Sequence, residues 1–312
     1  MTKANFVIKH KGEDYDIGKF LHFHPGGTNT VAPYRGKEIS HKLDEIHHAP
    51  SAYYMMKDYK VKKGEGDDLE KYVDWSKPML AQVGKLGKHY DQWVQSPVDR
   101  ELRLFQSDFL EKLSVTYWYV IPLVWVPVTS LFILKGISHN NEFSADPTFP
   151  AWVIGSFLFG VGLWSLLEYT LHRWVFHMKP PADSPGLITF HFLIHGLHHK
   201  VPFDPGRLVF PPVPAAIITS IVYLIYIILF PASLADFICA GSIAGYIAYD
   251  LIHYYLHHGS PNPDSYLYEM KRYHNQHHFT EHDNGFGISS KFWDYIFGTR
   301  ILLRKLKWVL RW

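Results

Sequence analysis

The chain is nearly without cysteine: there is one, Cys239, in 312 residues. That excludes disulfides, Cys-ligated zinc and iron–sulfur clusters held within one chain, and it allows a reducing compartment. A dominant charge is also missing. Lys and Arg total 31 against 29 Asp and Glu, a formal net charge of +2. No basic stripe stands out, so no nucleic-acid partner is implied. The first residues, MTKANFVIKHKGEDYD, contain no apolar core segment, so no cleavable secretory signal is visible. No Glu-x-x-His pairs are placed as in carboxylate-rich dimetal bundles.

What the chain has in excess is histidine. There are 21, and 12 lie between His172 and His278. The stretch HFLIHGLHHK carries His191, His195, His198 and His199 at offsets 0, 4, 7 and 8. On a helix those offsets fall on one face. A stripe of neutral imidazoles points to metal ligation. A proton relay and a histidine-rich surface are the blander readings.

Composition changes along the chain. Residues 1–65 are polar and mixed, as in a small soluble domain. Residues 66–109 are rich in Gly, Pro and charge and read as a linker, free or packed on its neighbours. From 110 onward long uncharged runs begin: 117–134, 149–167, 208–235 and 237–249. A bilayer core takes about 20 apolar residues per helix. Four membrane helices are therefore expected, at about 117–135, 149–167, 210–230 and 232–252, paired as two hairpins. The first hairpin turns through 135–148 and the second near Pro231. Four crossings return the chain to its starting side, so the histidine-rich segments and both termini share one face. The tail RILLRKLKWVLRW is basic and apolar by turns, which suits an amphipathic helix at the interface and makes that face cytosolic.

Four motifs gather eleven histidines. HRWVFH holds His172 and His177, and HFLIHGLHH holds His191, His195, His198 and His199. HYYLH holds His253 and His257, and HNQHH holds His274, His277 and His278. Spacings of three and four place two ligands on one helical face. The five-residue spacing of His172 and His177 rotates them by roughly 140°. Those two are expected at a helix end or on different metals. One ion cannot use eleven imidazoles, whereas two can. Iron suits redox chemistry and zinc has no redox states, but imidazole binds both and the affinity order favours zinc. Glu168 and Asp250 are either groups orienting imidazole N–H or helix-end charges. His139 and His282 read as non-ligands, and His258 as either.

HPGG at 24–27 presents His24 from a tight turn that lets a flat ligand approach. His48 follows 24 residues later. Two histidines on opposing segments suit both axial positions of a haem iron, leaving it to carry electrons only. His47 adjoins His48 and competes for the assignment, which the spacing gives to His48.

The motif order, with EYTLHRWVFH, LIHGLHHKVPFDPGRLVFPP and GFGISSKFWDYIFGT, resembles the fatty acid hydroxylase and sterol desaturase superfamily, most closely its fatty acid 2-hydroxylases. FVIKHKGEDYDIGKFLHFHPGG resembles cytochrome b5. The resemblance implies a mainly α fold: a four-transmembrane-helix integral membrane hydroxylase over 110–312 with a cytosolic, helical, His-rich dimetal cap. It also implies a small α+β cytochrome b5-like domain at 1–65. It implies haem b on His24 and His48 and two metal ions on the eleven motif histidines, iron for activity and zinc possible in purified samples. The expected reaction is a dioxygen-dependent hydroxylation at carbon 2 of long or very long fatty acyl chains destined for sphingolipids. The free acid, the CoA ester and ceramide all remain open as substrate. Electrons would come through the haem domain from a cytochrome b5 reductase-type donor, at the endoplasmic reticulum membrane. A sterol desaturase or a sphingoid-base C4-hydroxylase on the same core is the alternative enzyme. A membrane metal transporter or sensor would need ionisable residues inside the spans, and the four apolar runs lack them. An inert zinc scaffold is a further option, which turnover would exclude.

Overall fold

The computed structural model describes residues 6–46, 48, 50–61, 69–139, 147–303 and 305. His47 and most of the basic tail fall outside these residues.

The N-terminal domain starts with a hairpin of β1 (Val7–His10) and β2 (Glu13–Asp16), antiparallel with Val7 opposite Asp16. Ile8 alternates inward and joins Phe6, Ile17 and Ile39 in a small core. Helices α1 (Ser40–Ile46) and α2 (Pro50–Met56) follow. His24 lies in the loop after the hairpin, and His48 lies between the two helices.

The segment expected as a linker carries a core of its own. Met79, Val83, Leu86, Tyr90, Trp93 and Val94 are buried, the last three on α3 (Tyr90–Val94). They pack on Ile188, Phe192 and Leu197 of the histidine-rich cap. Their helix-like spacing is easily overlooked among the Gly, Pro and Lys residues around them.

After a short helix α4 (Asp108–Leu113), four helices among the described residues are long and apolar enough to cross a membrane. They are α5 (Val120–Ser138), α6 (Phe149–Thr170, prolonged by a wider turn to Phe176), α9 (Pro212–Leu229) and α10 (Ala232–His258). Between α6 and α9 lie α7 (Pro185–His191) and α8 (Leu197–Lys200). Phe230 and Pro231 alone turn α9 into α10. Pro231 cannot continue a helix from α9 but suits the entry to a new one. Two thirds of the apolar window of α10 is buried, against 11–17% in the other three. It is therefore the central helix, and α5, α6 and α9 surround it. The outer faces, such as Leu123, Ile154, Leu158 and Ile228, are left exposed as a lipid-facing surface requires.

Gly160 of α6 and Gly241 of α10 make the closest packing. A Cβ on Gly160 would lie 2.0 Å from the Ile238 carbonyl oxygen, and one on Gly241 would lie 1.9 Å from that of Phe157. Small residues at such a crossing let the backbones touch. Both helices then run past the apolar region and carry histidines out of it. Helix α11 (Tyr266–Phe279) adds the last histidine motif, and α12 (Phe292–Ile296) closes the cap against α6 through Trp293 Nε1–H donating to Ser165 Oγ.

Candidate metal centre

Ten of the eleven motif histidines converge into two groups of five. His172, His177, His195, His199 and His277 form one, and His198, His253, His257, His274 and His278 form the other. Within each group the ligand atoms lie within 4.8 Å of one another. The doubled histidines divide: His198 turns to one group and His199 to the other, as do His278 and His277. On a helix, neighbours point about 100° apart, so a pair HH between two sites serves both. The i,i+4 partners stay together, as His195 with His199 and His274 with His278.

The pair His172 and His177 sits at the end of the helical run of α6, one of the two expected placements, and not on different metals. Both enter the same group, with ring centres 4.9 Å apart. The cause is a π-turn over Leu171–Phe176, in which His177 N–H donates to His172 C=O at 3.0 Å. A hydrogen bond from i+5 back to i stacks residues five apart, and such turns gather at functional sites.

A second π-turn, Phe192–Gly196, explains His191. It stacks position 196, not 195, over 191: a Cβ on Gly196 would lie 3.1 Å from His191 Nδ1. His191 thus leaves the His195–His199 stripe and belongs to neither group. Its Nδ1 meets the Tyr90 hydroxyl at 2.5 Å instead.

The spacing of the nitrogens has chemical meaning. In the first group His195 Nε2 lies 3.2 Å from His172 Nε2, 3.1 Å from His177 Nε2 and 2.9 Å from His199 Nε2. In the second, His278 Nε2 is 3.0 Å from both His198 Nε2 and His274 Nε2, and His257 Nε2 is 2.9 Å from His274 Nε2. Two nitrogens bonded at about 2.1 Å to one ion sit about 3.0 Å apart at a right angle and about 3.4 Å apart at the tetrahedral angle. The observed spacings are short enough for the nitrogens of each group to share one ion. His253 Nε2 and His277 Nε2 are buried without a hydrogen-bond partner, as a donor atom aimed at an ion would be. The two groups fit a dimetal centre.

Backbone carbonyls set the imidazole tautomers. His172 Nδ1–H donates to Phe286 C=O at 2.5 Å, and His277 Nδ1–H to Asn284 C=O at 2.7 Å. This leaves Nε2 deprotonated and aimed at the ion. Burial, reinforced by neighbouring imidazoles, lowers the pKa of His177, His195, His199 and His277, and of His198, His274 and His278. The site holds them neutral, the form that binds metal.

The hydrogen bonds of Glu168 and Asp250 among the described residues go to groups other than imidazoles. Glu168 accepts from the Ile288 and Ser289 N–H groups at 3.1 and 2.9 Å and from Ser289 Oγ at 2.6 Å. It therefore pins the loop that presents Phe286 C=O to His172. Asp250 accepts the Phe210 N–H at 3.1 Å. His139 bonds Asp236 at 3.0 Å, far from the centre by sequence and contact. His282 flanks His199, and His258 faces Phe23 and Tyr254.

In the N-terminal domain the rings of His24 and His48 face each other with centres 6.3 Å apart. Two imidazoles bonded at about 2.0 Å on opposite sides of one ion have ring centres about 6.3 Å apart. They line a cavity of about 450 Å³ with Phe20, Val31, Leu43 and Met55. Gly26 N lies 3.1 Å from His24 Nδ1, so the backbone of the HPGG turn holds that edge of the ring. The pair and its apolar cavity fit a haem. Burial, then the facing His48, lower the pKa of His24 to about 4.

The fatty acid hydroxylase family profile matches residues 157–299, and the cytochrome b5-like heme/steroid binding domain profile matches residues 2–65. Human fatty acid 2-hydroxylase is 40% identical over 91% of this chain and 88% of its own. The chain belongs to the fatty acid 2-hydroxylase family. A dihydroceramide fatty acyl 2-hydroxylase of Arabidopsis thaliana is 43% identical over 74% of this chain and 94% of its own. The ceramide very long chain fatty acid hydroxylase of Saccharomyces cerevisiae is 30% identical over 91% and 87%. A solved structure of full-length Scs7p, with only its hydroxylase domain visible, superposes with a TM-score of 0.66 at 33% identity. It covers 74% of this chain and 86% of that one. The chain is thus a multi-pass, mainly helical hydroxylase of this family with a fused cytochrome b5-like domain.

Proposed function

We propose that this enzyme hydroxylates carbon 2 of long or very long fatty acyl chains, free or amide-linked in ceramide. The observation that carries the reading is the pair of five-imidazole groups, buried in all but His177, in a chain 40% identical to human fatty acid 2-hydroxylase over 91% of its length. The residues His172, His177, His195, His199 and His277 hold one ion, and His198, His253, His257, His274 and His278 hold the other. His24 and His48 hold haem b. When bound, the haem supplies single-electron transfer, and the metal pair supplies the dioxygen chemistry that turns a C–H bond into C–OH. Five imidazoles in each group outnumber the four ligands of a structural zinc site, which favours a reactive ion. Iron is the ion expected in the active enzyme, although zinc competes well for imidazole.

The chain's own residues bind, orient and exclude. Phe176 stacks on His195 at 5.2 Å and on Phe210 at 6.1 Å. Behind them a small apolar cleft is lined by Trp164, Leu171, Ala215, Ile218 and Tyr249, between α6 and α9. The acyl chain enters there from the bilayer, and its carbonyl end reaches the histidines at the membrane interface. Nine of the ten histidines are buried and His177 is half-buried, which keeps bulk water from the reacting carbon. The Phe286 and Asn284 carbonyls hold the Nδ1 protons of His172 and His277 throughout.

Both termini, the haem domain and the metal centre face the cytosol of the endoplasmic reticulum, where a cytochrome b5 reductase-type donor and dioxygen are available. The parity of four spans and the basic residues at the C-terminus support this side. Expression in a yeast strain lacking its own acyl 2-hydroxylase tests the reading. Sphingolipid acyl chains should regain the 2-hydroxyl group by mass spectrometry. Hydroxylation on the sphingoid base alone would favour the C4-hydroxylase alternative.

A further inference from the structure

Phe203 lies in the loop between α8 and α9, and it touches both halves of the molecule. Its ring stacks on Phe23 at 4.8 Å and 26°, and meets Phe20 edge-on at 5.9 Å. Phe23 directly precedes His24, and Phe20 meets the His24 ring edge-on at 6.0 Å. On its other side Phe203 stacks on Phe279 at 6.2 Å and 24°. Phe279 follows His278, with ring centres 6.2 Å apart. One hydroxylase-domain side chain therefore contacts the aromatic neighbours of a haem-site histidine and of a metal-site histidine.

Polar contacts hold the same orientation. Arg100 Nε–H donates to Asp58 at 2.9 Å, Tyr59 Oη–H to Asp99 at 2.8 Å, and Ser51 Oγ–H to the Phe279 carbonyl. The cavity at His24 and His48 is closed by the other domain, through Phe203, Lys271, Phe279 and His257. His257 belongs to the second histidine group, and no member of the first lines this cavity. The first group instead lines a separate small opening, through His177, His195 and His199 with Tyr90 and Lys179. The two groups are thus unequal: one adjoins the haem cavity and the other adjoins a different opening.

We propose that Phe203 seats the haem domain, and that this docking makes the His198, His253, His257, His274 and His278 group the point where electrons enter the hydroxylase centre. The proposal rests on the function proposed above. In the step, the reduced haem iron loses one electron and goes from ferrous to ferric. One metal ion of that group gains the electron, and no atom passes between the domains. Phe203 acts here as a positioning residue.

The test uses the full-length holoenzyme in lipid nanodiscs containing a saturated N-acyl sphingoid lipid. The haem is reduced through a cytochrome b5 reductase with NADH, and its re-oxidation on mixing with dioxygen is followed by stopped-flow absorbance. Phe203→Leu should slow substrate-dependent re-oxidation by roughly tenfold to a hundredfold, the scale of a small misplacement. Its haem spectrum, its rate of reduction by the reductase and its metal content should match wild type. Phe203→Tyr should restore the wild-type rate. Re-oxidation at the wild-type rate in Phe203→Leu would overturn the proposal. So would a slowing that merely follows loss of haem or metal. A wild-type haem that dioxygen and substrate leave reduced would overturn the hydroxylase reading itself, and the proposal with it.

Discussion

Substituting Gly160 or Gly241 by alanine should loosen the metal centre from a distance. The new methyl on Gly160 would start 2.0 Å from the Ile238 oxygen, and on Gly241 1.9 Å from the Phe157 oxygen. In both cases the obstacle is helix backbone, which no side-chain rotation can clear. Reaching even a tight 3.0 Å contact requires α6 and α10 to part by about 1 Å. Overpacking of this kind costs about 1–3 kcal/mol. The same two helices carry His172 into one histidine group and His253 and His257 into the other. Displacement on that scale can lower activity about a hundredfold. Gly155 and Gly162 lie on the same α6, where a methyl would meet nothing within 4 Å, so alanine there should be neutral or slightly stabilising. The assay is thermal unfolding in detergent together with metal content and product formation. Equal behaviour of all four variants would refute the reasoning.

His48→Ala should abolish a six-coordinate low-spin haem spectrum, and a spectrum that persists but disappears in His47→Ala would reverse the assignment. His195→Ala should lose metal and activity, whereas His191→Gln should keep both ions under equilibrium dialysis, because only His195 belongs to a five-histidine group. The lowered pKa of His24, about 4 against an ordinary 6.5, has a definite sign. Between pH 6.5 and 4 the unfolded chain binds a proton that the folded one refuses. Stability of the metal- and haem-free protein should be full above pH 6.5 and fall through that window. A melting temperature flat from pH 7 to 4.5 would contradict this. Glycosylation acceptors inserted within 140–146 should be used in microsomes and those at either terminus should not, and a glycosylated C-terminus would break the four-span topology.

Much of this architecture was legible because it rests on simple periodicities. The apolar runs predicted four spans, and the described residues hold four such helices, each within a few residues of its expected start. Their ends moved because α6 and α10 continue as helix beyond the apolar run to carry His172, His253 and His257. The i,i+4 histidine pairs were legible for the same reason. The π-turns were not, since a six-residue stretch such as LHRWVF gives no sign in composition that it will close i+5 hydrogen bonds. That one irregularity brought His172 to His177, and a second removed His191. The packed segment around Met79 and Trp93 was concealed by its Gly, Pro and Lys residues. Glu168 lies near the end of α6, but Asp250 lies within α10 because that helix runs on to His258, and the partners of both are backbone N–H groups distant in sequence. No local pattern reveals those.

The most direct measurement is isotope labelling. The purified holoenzyme, in lipid nanodiscs with an N-acyl sphingoid lipid and a reductase, is supplied with ¹⁸O₂, and the product is fragmented by mass spectrometry. The account predicts one ¹⁸O on carbon 2 of the acyl chain, dependent on the metal-loaded ten-histidine site and absent in His195→Ala. Oxygen drawn from water, or a hydroxyl found elsewhere on the lipid, would contradict it.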